Sequence, residues 1–234
     1  HLDLDEAERI LKNGKYRRRI LITESVFSMD GDFAPLKELY ELCRRYETRM
    51  MVDEAHVSGV RGPQGQGLAS EMGIAPEIQM GTLGKAVGVA GAYVAGSRSL
   101  IDLLINKARS FIYTTAQPPP VISAALQALV ITASDEGNRL RAKLNENCVL
   151  FSKLMVPLTG EESSPSHIVP IQVGDSKKTM KLSSSCLSKG IFVQGIRYPT
   201  VPEGSARLRL TMMSSHTNED IRRVANVLLE EMRL

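Results

Sequence analysis

The chain has few cysteines and no long apolar segment, and each of these absences excludes a class of protein. Its three cysteines lie far apart and form no Cys-x-x-Cys pair, so the sequence predicts neither a disulfide framework nor a zinc site. This cysteine usage favours a reducing cytoplasm. No apolar run approaches the roughly 18 residues of a membrane-spanning helix, and no signal-peptide pattern opens the chain.

Net charge is also nearly absent. The sequence has 29 basic and 26 acidic residues, and only Arg17, Arg18 and Arg19 form a basic cluster. We therefore expect neither nucleic acid nor a membrane surface as a partner. With 234 residues, 43% of them hydrophobic, the chain can bury the core of one large or two small domains. It begins at His1, inside a predicted helix, and we expect it to be part of a longer protein.

The first half has the pattern of an α/β protein. An apolar run at 20–27 predicts a strand, helical spacing follows Pro35, and a second apolar run at 50–53 predicts a buried strand. Together they form one βαβ unit. Short strands are also predicted at 78–83 and 92–95, so this half is expected to contain a mostly parallel sheet.

The second half alternates helical and strand patterns. Helices are predicted at 100–107 and 121–154, separated by the proline-rich run 117–120, which we expect to lie outside any helix. A surface loop is predicted at 161–166. A small α+β domain should follow, with strands at 168–173, 191–193 and 207–212, a helix at 179–188, and a last helix opened by a capping box of Thr217 and Asp220. The sequence thus predicts a large domain over 1–135 and a small domain over 136–234.

Asp53 and Lys85 carry the strongest chemical signal in the sequence. Asp53 ends an apolar strand, and Lys85 lies among glycines that let the backbone approach a ligand. Pyridoxal phosphate needs an amine that binds its aldehyde and a carboxylate that keeps its ring nitrogen protonated. His56 lies close enough in sequence to share the pocket, and Thr82 could offer a hydroxyl to the phosphate.

Each of these residues also has an ordinary structural interpretation. Asp53 could cap a following helix, His56 could be a hydrogen-bonded residue without a chemical role, and Lys85 could be a solvated lysine in a glycine-rich turn. The Asp-Glu-Ala-His motif and Gly84-Lys85 also raise the possibility of a helicase-type triphosphatase. That interpretation fails on spacing. A P-loop has four residues between its first glycine and its Gly-Lys pair, and a Ser or Thr after that pair. Here only two residues separate Gly81 from Gly84-Lys85, and Ala86 follows.

Six segments together resemble the α-oxoamine synthases, which are pyridoxal phosphate enzymes of the type I aminotransferase fold. The resemblance extends from His1 to Leu234 and is carried by 24–32, 52–56, 62–65, 81–85, 114–119 and 198–202. Members of this family have a further N-terminal stretch of well over a hundred residues. The resemblance therefore implies an incomplete large domain followed by the small C-terminal α+β domain.

The resemblance also implies a role for individual residues. Lys85 would bind the cofactor and later move the proton at the substrate Cα, Asp53 would pair with the pyridinium nitrogen, and His56 and Ser28 would bind the phenolic oxygen. Thr82 would bind the phosphate, and Thr115 that of the neighbouring subunit, which makes a homodimer part of the site. The remaining predicted site residues are Arg209, for the substrate carboxylate, and Glu24, as a supporting residue. Arg207 shares a strand face with Arg209, and only the resemblance favours Arg209.

Within the family, the Gly-Pro-Gln-Gly segment and the segment 108–115 are most similar to the member that acts in biotin synthesis. The implied reaction condenses L-alanine with pimeloyl thioester and releases carbon dioxide. Two alternatives stay open. One is a sister reaction such as glycine C-acetyl transfer, and the other is an inactive fragment that binds no cofactor. No metal is implied.

Overall fold

The computed structural model describes residues 1–14, 16–160 and 166–232. The chain divides into two compact units, one made of 1–27 and 33–138 and the other of 28–32 and 139–234. The predicted large and small domains, with their boundary at 135/136, stay a prediction. Apart from Ser166, the predicted loop at 161–166 lies outside the described residues.

A four-stranded sheet organises the first unit. Its strands are β1 (Ile20–Glu24), β2 (Arg49–Asp53), β3 (Ile78–Thr82) and β4 (Ala92–Gly96), in the order β1-β2-β3-β4. β1, β2 and β3 run parallel, and β4 pairs antiparallel with β3. The predicted α/β class and mostly parallel sheet are confirmed.

The helix between β1 and β2 forms for the reason that the sequence indicates. α1 covers Leu4–Asn13 and α2 covers Leu36–Arg45. The apolar positions of α2 repeat with helical spacing, and all of them are buried: Leu36, Leu39, Leu42 and Cys43. Glu8 of α1 accepts hydrogen bonds from Arg45 at 2.8 Å and Tyr46 at 2.9 Å, which ties the two helices together.

The end of the proline-rich run 117–120 begins a helix. After the short α3 (Leu68–Glu71), α4 (Arg98–Lys107) and α5 (Arg109–Ile112), α6 covers Pro119–Ala133, with prolines in its first turn. The first turn needs no intrahelical N–H donor, so proline fits there. The expectation that the run lies outside any helix was therefore wrong for Pro119 and Pro120, whereas Gln117 and Pro118 precede the helix. The predicted helix 121–154 also divides at Ser134, after which α7 covers Asp135–Thr159.

The second unit packs helices on an antiparallel sheet of three strands. These are β5 (Ile168–Gly174), β6 (Gln194–Ile196) and β7 (Ala206–Thr211), in the order β5-β7-β6. α8 (Ser176–Ser188) and α9 (Asn218–Met232) join α7 around a core that includes Phe151, Leu182, Leu208 and Leu228.

The predicted strand at 191–193 was wrong by three residues. Ile191 and Val193 are buried in the core of the second unit, but pairing with β7 begins only at Gln194, opposite Arg209. Their alternating apolar pattern therefore reflects their burial in the core. It does not reflect pairing with a neighbouring strand.

The capping box of the last helix is confirmed. Asp220 N donates to Thr217 Oγ1 at 3.1 Å, and Thr217 N donates to Asp220 Oδ2 at 2.9 Å. Within the described parts of the chain, none of the helices combines the length and hydropathy that crossing a membrane requires.

Candidate functional site

Three predicted site residues end neighbouring strands of the first unit. Glu24, Asp53 and Thr82 are the last residues of β1, β2 and β3, and Glu24 lies in register with Asp53. The carboxyl ends of parallel strands meet at one edge of a sheet, which is where open α/β folds place their ligands. The topology therefore brings two carboxylates and a hydroxyl to one edge.

Asp53 is half-buried and shapes the turn that follows β2. Its Oδ1 accepts a hydrogen bond from Ala55 N at 2.8 Å, an arrangement typical of an Asx turn. The capping interpretation of Asp53 is thus partly correct, although a turn and no regular helix follows. This contact fixes the direction of one carboxylate oxygen.

Lys85 and His56 meet despite their separation in sequence. Lys85 Nζ lies 2.9 Å from His56 Nε2, a hydrogen-bond distance. The lysine follows β3 in an exposed turn that is closed by Val89 N donating to Leu83 O at 2.8 Å. The fold therefore places an amine within hydrogen-bond distance of an imidazole. The interpretation of Lys85 as a solvated lysine does not account for this contact.

The two predicted phosphate ligands differ in their surroundings. Thr82 Oγ1 donates to Gly91 O at 3.1 Å and accepts from Gly84 N at 3.2 Å, so this hydroxyl helps to hold the lysine turn. Thr115 lies exposed in the segment between α5 and α6. Their roles as phosphate ligands stay predictions.

Ser28 and Arg209 both belong to the second unit and contact each other there. Arg209 Nε donates to Ser28 O at 2.6 Å, and its side chain is partly buried. Burial lowers the pKa of the Arg209 guanidinium, which nevertheless stays charged at neutral pH. Two residues that lie far apart in sequence and were predicted for one site are therefore neighbours.

Arg207, the alternative to Arg209, is engaged in the structure of the second unit. It is 5% exposed, forms an ion pair with Asp30, and donates to Met29 O and Ser205 O, each at 3.1 Å. The Arg207 guanidinium thus binds the segment 28–32 of the second unit. The choice of Arg209 as the arginine that binds a ligand stays a prediction.

Sequence reasoning gave no role to Glu54, although the residue adjoins the candidate site. Its side chain has no exposed surface, and its carboxylate accepts hydrogen bonds from Ser25, Leu68 and Ala69. Burial raises the pKa of the Glu54 carboxyl, and the backbone donors Ala69 and Leu68 oppose that rise. A glutamate directly after a buried strand, followed by a glycine-rich loop, was the available signal.

Comparison with known proteins identifies clear relatives. The family described as "Aminotransferase class I and II" matches residues 1–228. An 8-amino-7-oxononanoate synthase of Citrifermentans bemidjiense is 45% identical over 232 residues, covering 97% of this chain and 60% of that protein. One from Bacillus pumilus is 42% identical over 238 residues, covering 100% of this chain and 60% of that protein. The chain thus spans about 60% of the length of these relatives.

Solved structures show the same architecture. A serine palmitoyltransferase variant from S. paucimobilis, with pyridoxal phosphate and myriocin bound, superposes with a TM-score of 0.93 at 26% identity, covering 100% of this chain and 60% of that one. The 8-amino-7-oxononanoate synthase of Francisella tularensis gives a TM-score of 0.84 at 32% identity, covering 100% of this chain and 67% of that one. These similarities confirm the predicted type I aminotransferase fold.

Proposed function

Because the chain belongs to the aminotransferase class I and II family, we propose that it forms part of a pyridoxal phosphate-dependent α-oxoamine synthase. The observation that carries this proposal is the 2.9 Å approach of Lys85 Nζ to His56 Nε2, in the unit whose β2 ends at Asp53. Relatives named 8-amino-7-oxononanoate synthase support the same assignment.

The residues present fit the cofactor by their chemistry. An amine, an imidazole and a carboxylate belong to one unit and lie on its turns and strand ends. This donor set matches what the cofactor's aldehyde, phenolic oxygen and ring nitrogen require. When bound, pyridoxal phosphate supplies an electron sink for negative charge at the substrate Cα.

The roles that we propose for the site residues are those that the family resemblance implies, and these positions support them. Lys85 binds the cofactor aldehyde through Nζ and moves the proton at the substrate Cα, and the His56 ring at 2.9 Å orients that amine. Asp53 keeps the ring nitrogen protonated, and the turn that it makes with Ala55 holds its carboxylate in place. His56 and Ser28 bind the phenolic oxygen, with Glu24 in support.

The remaining residues bind the phosphate and the substrate. Thr82 binds the phosphate, and Thr115 binds the phosphate of the neighbouring subunit in a homodimer. Arg209 binds the amino-acid carboxylate, because a guanidinium can donate two parallel hydrogen bonds to it.

The reaction that we propose is the condensation of L-alanine with pimeloyl thioester, as in biotin synthesis in the cytoplasm. A carbon–carbon bond forms between the alanine Cα and the acyl carbon, the thiol leaves, and the alanine carboxyl group leaves as carbon dioxide. The product is 8-amino-7-oxononanoate.

Two experiments on the protein that contains these 234 residues test the proposal. Borohydride reduction of the cofactor-loaded protein, followed by peptide mapping, should place the label on Lys85. A label on another residue, or none at saturating cofactor, contradicts the assignment of the site. Thiol release should be faster with alanine and pimeloyl thioester than with glycine and acetyl or succinyl thioester. A preference for glycine and acetyl thioester would move the function to a sister ligase, while the cofactor assignment would stand.

A further inference from the structure

The buried carboxylate of Glu54 connects three separate segments of the first unit. It accepts hydrogen bonds from Ser25 Oγ at 3.0 Å, after β1, and from Leu68 N at 3.0 Å and Ala69 N at 2.8 Å, at the start of α3. Ser25 also binds Asp53, the residue before Glu54, because the Ser25 N–H donates to Asp53 O at 3.0 Å. The end of β2 is thus fixed from two sides.

The backbone of Glu54 also forms hydrogen bonds to other segments of the first unit. Its N–H donates to Met80 O of β3 at 2.8 Å, and its carbonyl accepts from Val57 N at 2.9 Å and Ser58 N at 2.8 Å. These bonds enclose the turn that contains His56. Any displacement of Glu54 therefore moves Asp53, which precedes it, and His56, which lies two residues after it.

The surroundings of Glu54 specify both the charge and the shape of its side chain. Oε2 accepts two hydrogen bonds and Oε1 accepts one, so an amide in place of the carboxylate would point N–H donors at N–H or O–H donors. The packing is equally tight, because a Cβ added at Gly67 would lie 2.5 Å from Glu54 Oε2. Neither glutamine nor a larger residue at Gly67 fits without rearrangement.

We propose that Glu54 is a positioning residue, which directs the Asp53 carboxylate and the His56 ring by holding the turn after β2 against the loop 62–69. The proposal rests on the proposed function, in that Asp53 and His56 serve the cofactor. Glu54 itself touches neither substrate nor cofactor in this assignment.

Glu71, the last residue of α3, is a matched control because it binds the start of the same loop. Its carboxylate accepts hydrogen bonds from Arg61 Nη2 at 2.6 Å and from Gly62 N at 3.1 Å, so it also anchors the loop. It makes these contacts without involving the end of β2. If Glu54 only anchored the loop, the substitutions Glu54→Gln and Glu71→Gln should have the same consequences at the site.

Amide hydrogen exchange in the cofactor-free protein that contains this chain tests the proposal. The Ala55 amide donates to Asp53 Oδ1, so its exchange rate reports the direction of that carboxylate. We expect Glu54→Gln to accelerate exchange at Ala55 by about tenfold, the consequence of losing one hydrogen bond to a charged group. Glu71→Gln should accelerate exchange at Gly62 only.

The absorbance of the bound cofactor provides a second measurement that does not depend on turnover. The pH midpoint of its absorbance change should shift in Glu54→Gln and stay at the unsubstituted value in Glu71→Gln, because only the first variant displaces Asp53 and His56. Equal shifts in the two variants, or unchanged Ala55 exchange in Glu54→Gln, would overturn the proposal.

Ser25→Ala keeps the test decisive if Glu54→Gln does not fold. This substitution retains the Glu54 charge and removes one of its three donors, so a smaller acceleration at Ala55 is expected. No acceleration at Ala55 in Ser25→Ala would overturn the proposal. If the unsubstituted protein bound no cofactor, the proposed function would fail, whereas Ala55 exchange would still decide the role of Glu54.

Discussion

Arg207 and Arg209 lie two residues apart on β7, and we expect their substitution by methionine to affect different properties of the protein. Arg207 is buried, with an ion pair to Asp30 and two bonds to backbone carbonyls. Arg209 makes one bond to a backbone carbonyl, that of Ser28, and a longer one of 3.3 Å to the Thr211 hydroxyl. Arg207→Met should therefore reduce stability, and Arg209→Met should reduce binding of the amino-acid substrate.

The magnitudes follow from these contacts. Arg207→Met removes three hydrogen bonds, one of them to a carboxylate that is 41% exposed, and should lower the free energy of unfolding by about 2–4 kcal/mol. Arg209→Met removes the bond to Ser28 and should cost only about 1 kcal/mol of stability. Losing two charge-assisted bonds to the substrate carboxylate should raise KM for the amino acid by roughly a hundredfold.

Urea unfolding and steady-state kinetics on the same preparations separate the two effects. Arg209→Lys is the conservative variant and should restore part of the affinity, since lysine keeps the charge without the planar fork. If Arg207→Met raised KM as much as Arg209→Met while leaving stability unchanged, the assignment of the two arginines would be wrong.

Three further predictions concern the site and the chain. Asp53→Ala should lower kcat, because it removes several kcal/mol of transition-state stabilisation. Initial rates at saturating cofactor measure this, and near-normal turnover would contradict the role of Asp53. The bond from Arg61 lowers the pKa of Glu71, so the pair stabilises the fold above the usual pKa of 4.5 and loses that effect as pH falls. The stability difference between unsubstituted protein and Glu71→Gln, less than about 1 kcal/mol, should therefore shrink below that pH in urea titrations, and a growing difference would refute this sign. The 234-residue chain alone should bind the cofactor weakly, because Ile22 of the edge strand β1 is 66% exposed and Leu126 of α6 is 65% exposed. Tight binding and full turnover by this chain alone would refute that expectation.

Local patterns predicted much of the fold. The apolar spacing of α2, the short run of β2 and the capping box of α9 each act over a few residues, so they can be recognised without knowing what packs against them. Where the strand prediction at 191–193 failed, a distant partner decided the outcome. The segment 191–193 has the composition of a strand, but the partner strand β7 pairs only from Gln194.

The candidate site shows the same division. Asp53 and Lys85 were recognisable because a carboxylate at a strand end and a lysine among glycines are local features. The meeting of Lys85 with His56 joins residues 29 positions apart, and the contact of Arg209 with Ser28 joins residues 181 positions apart. Such contacts depend on how β1, β2 and β3, or β5 and β7, are arranged within their units.

The sequence by itself therefore determined the α/β class through its periodicity and the family through its resemblance in six segments, because both are properties of neighbouring residues. The reactive groups that the same segments suggest stay predictions. Only the tertiary structure decided that Arg207 is buried against Asp30, and that Glu54 is fully buried and hydrogen-bonded to separate segments of the first unit. The physical reason is that the free energy of a buried charge depends on the donors and acceptors that surround it. Those partners, 177 positions away for Arg207 and up to 29 for Glu54, come together only when the chain has folded.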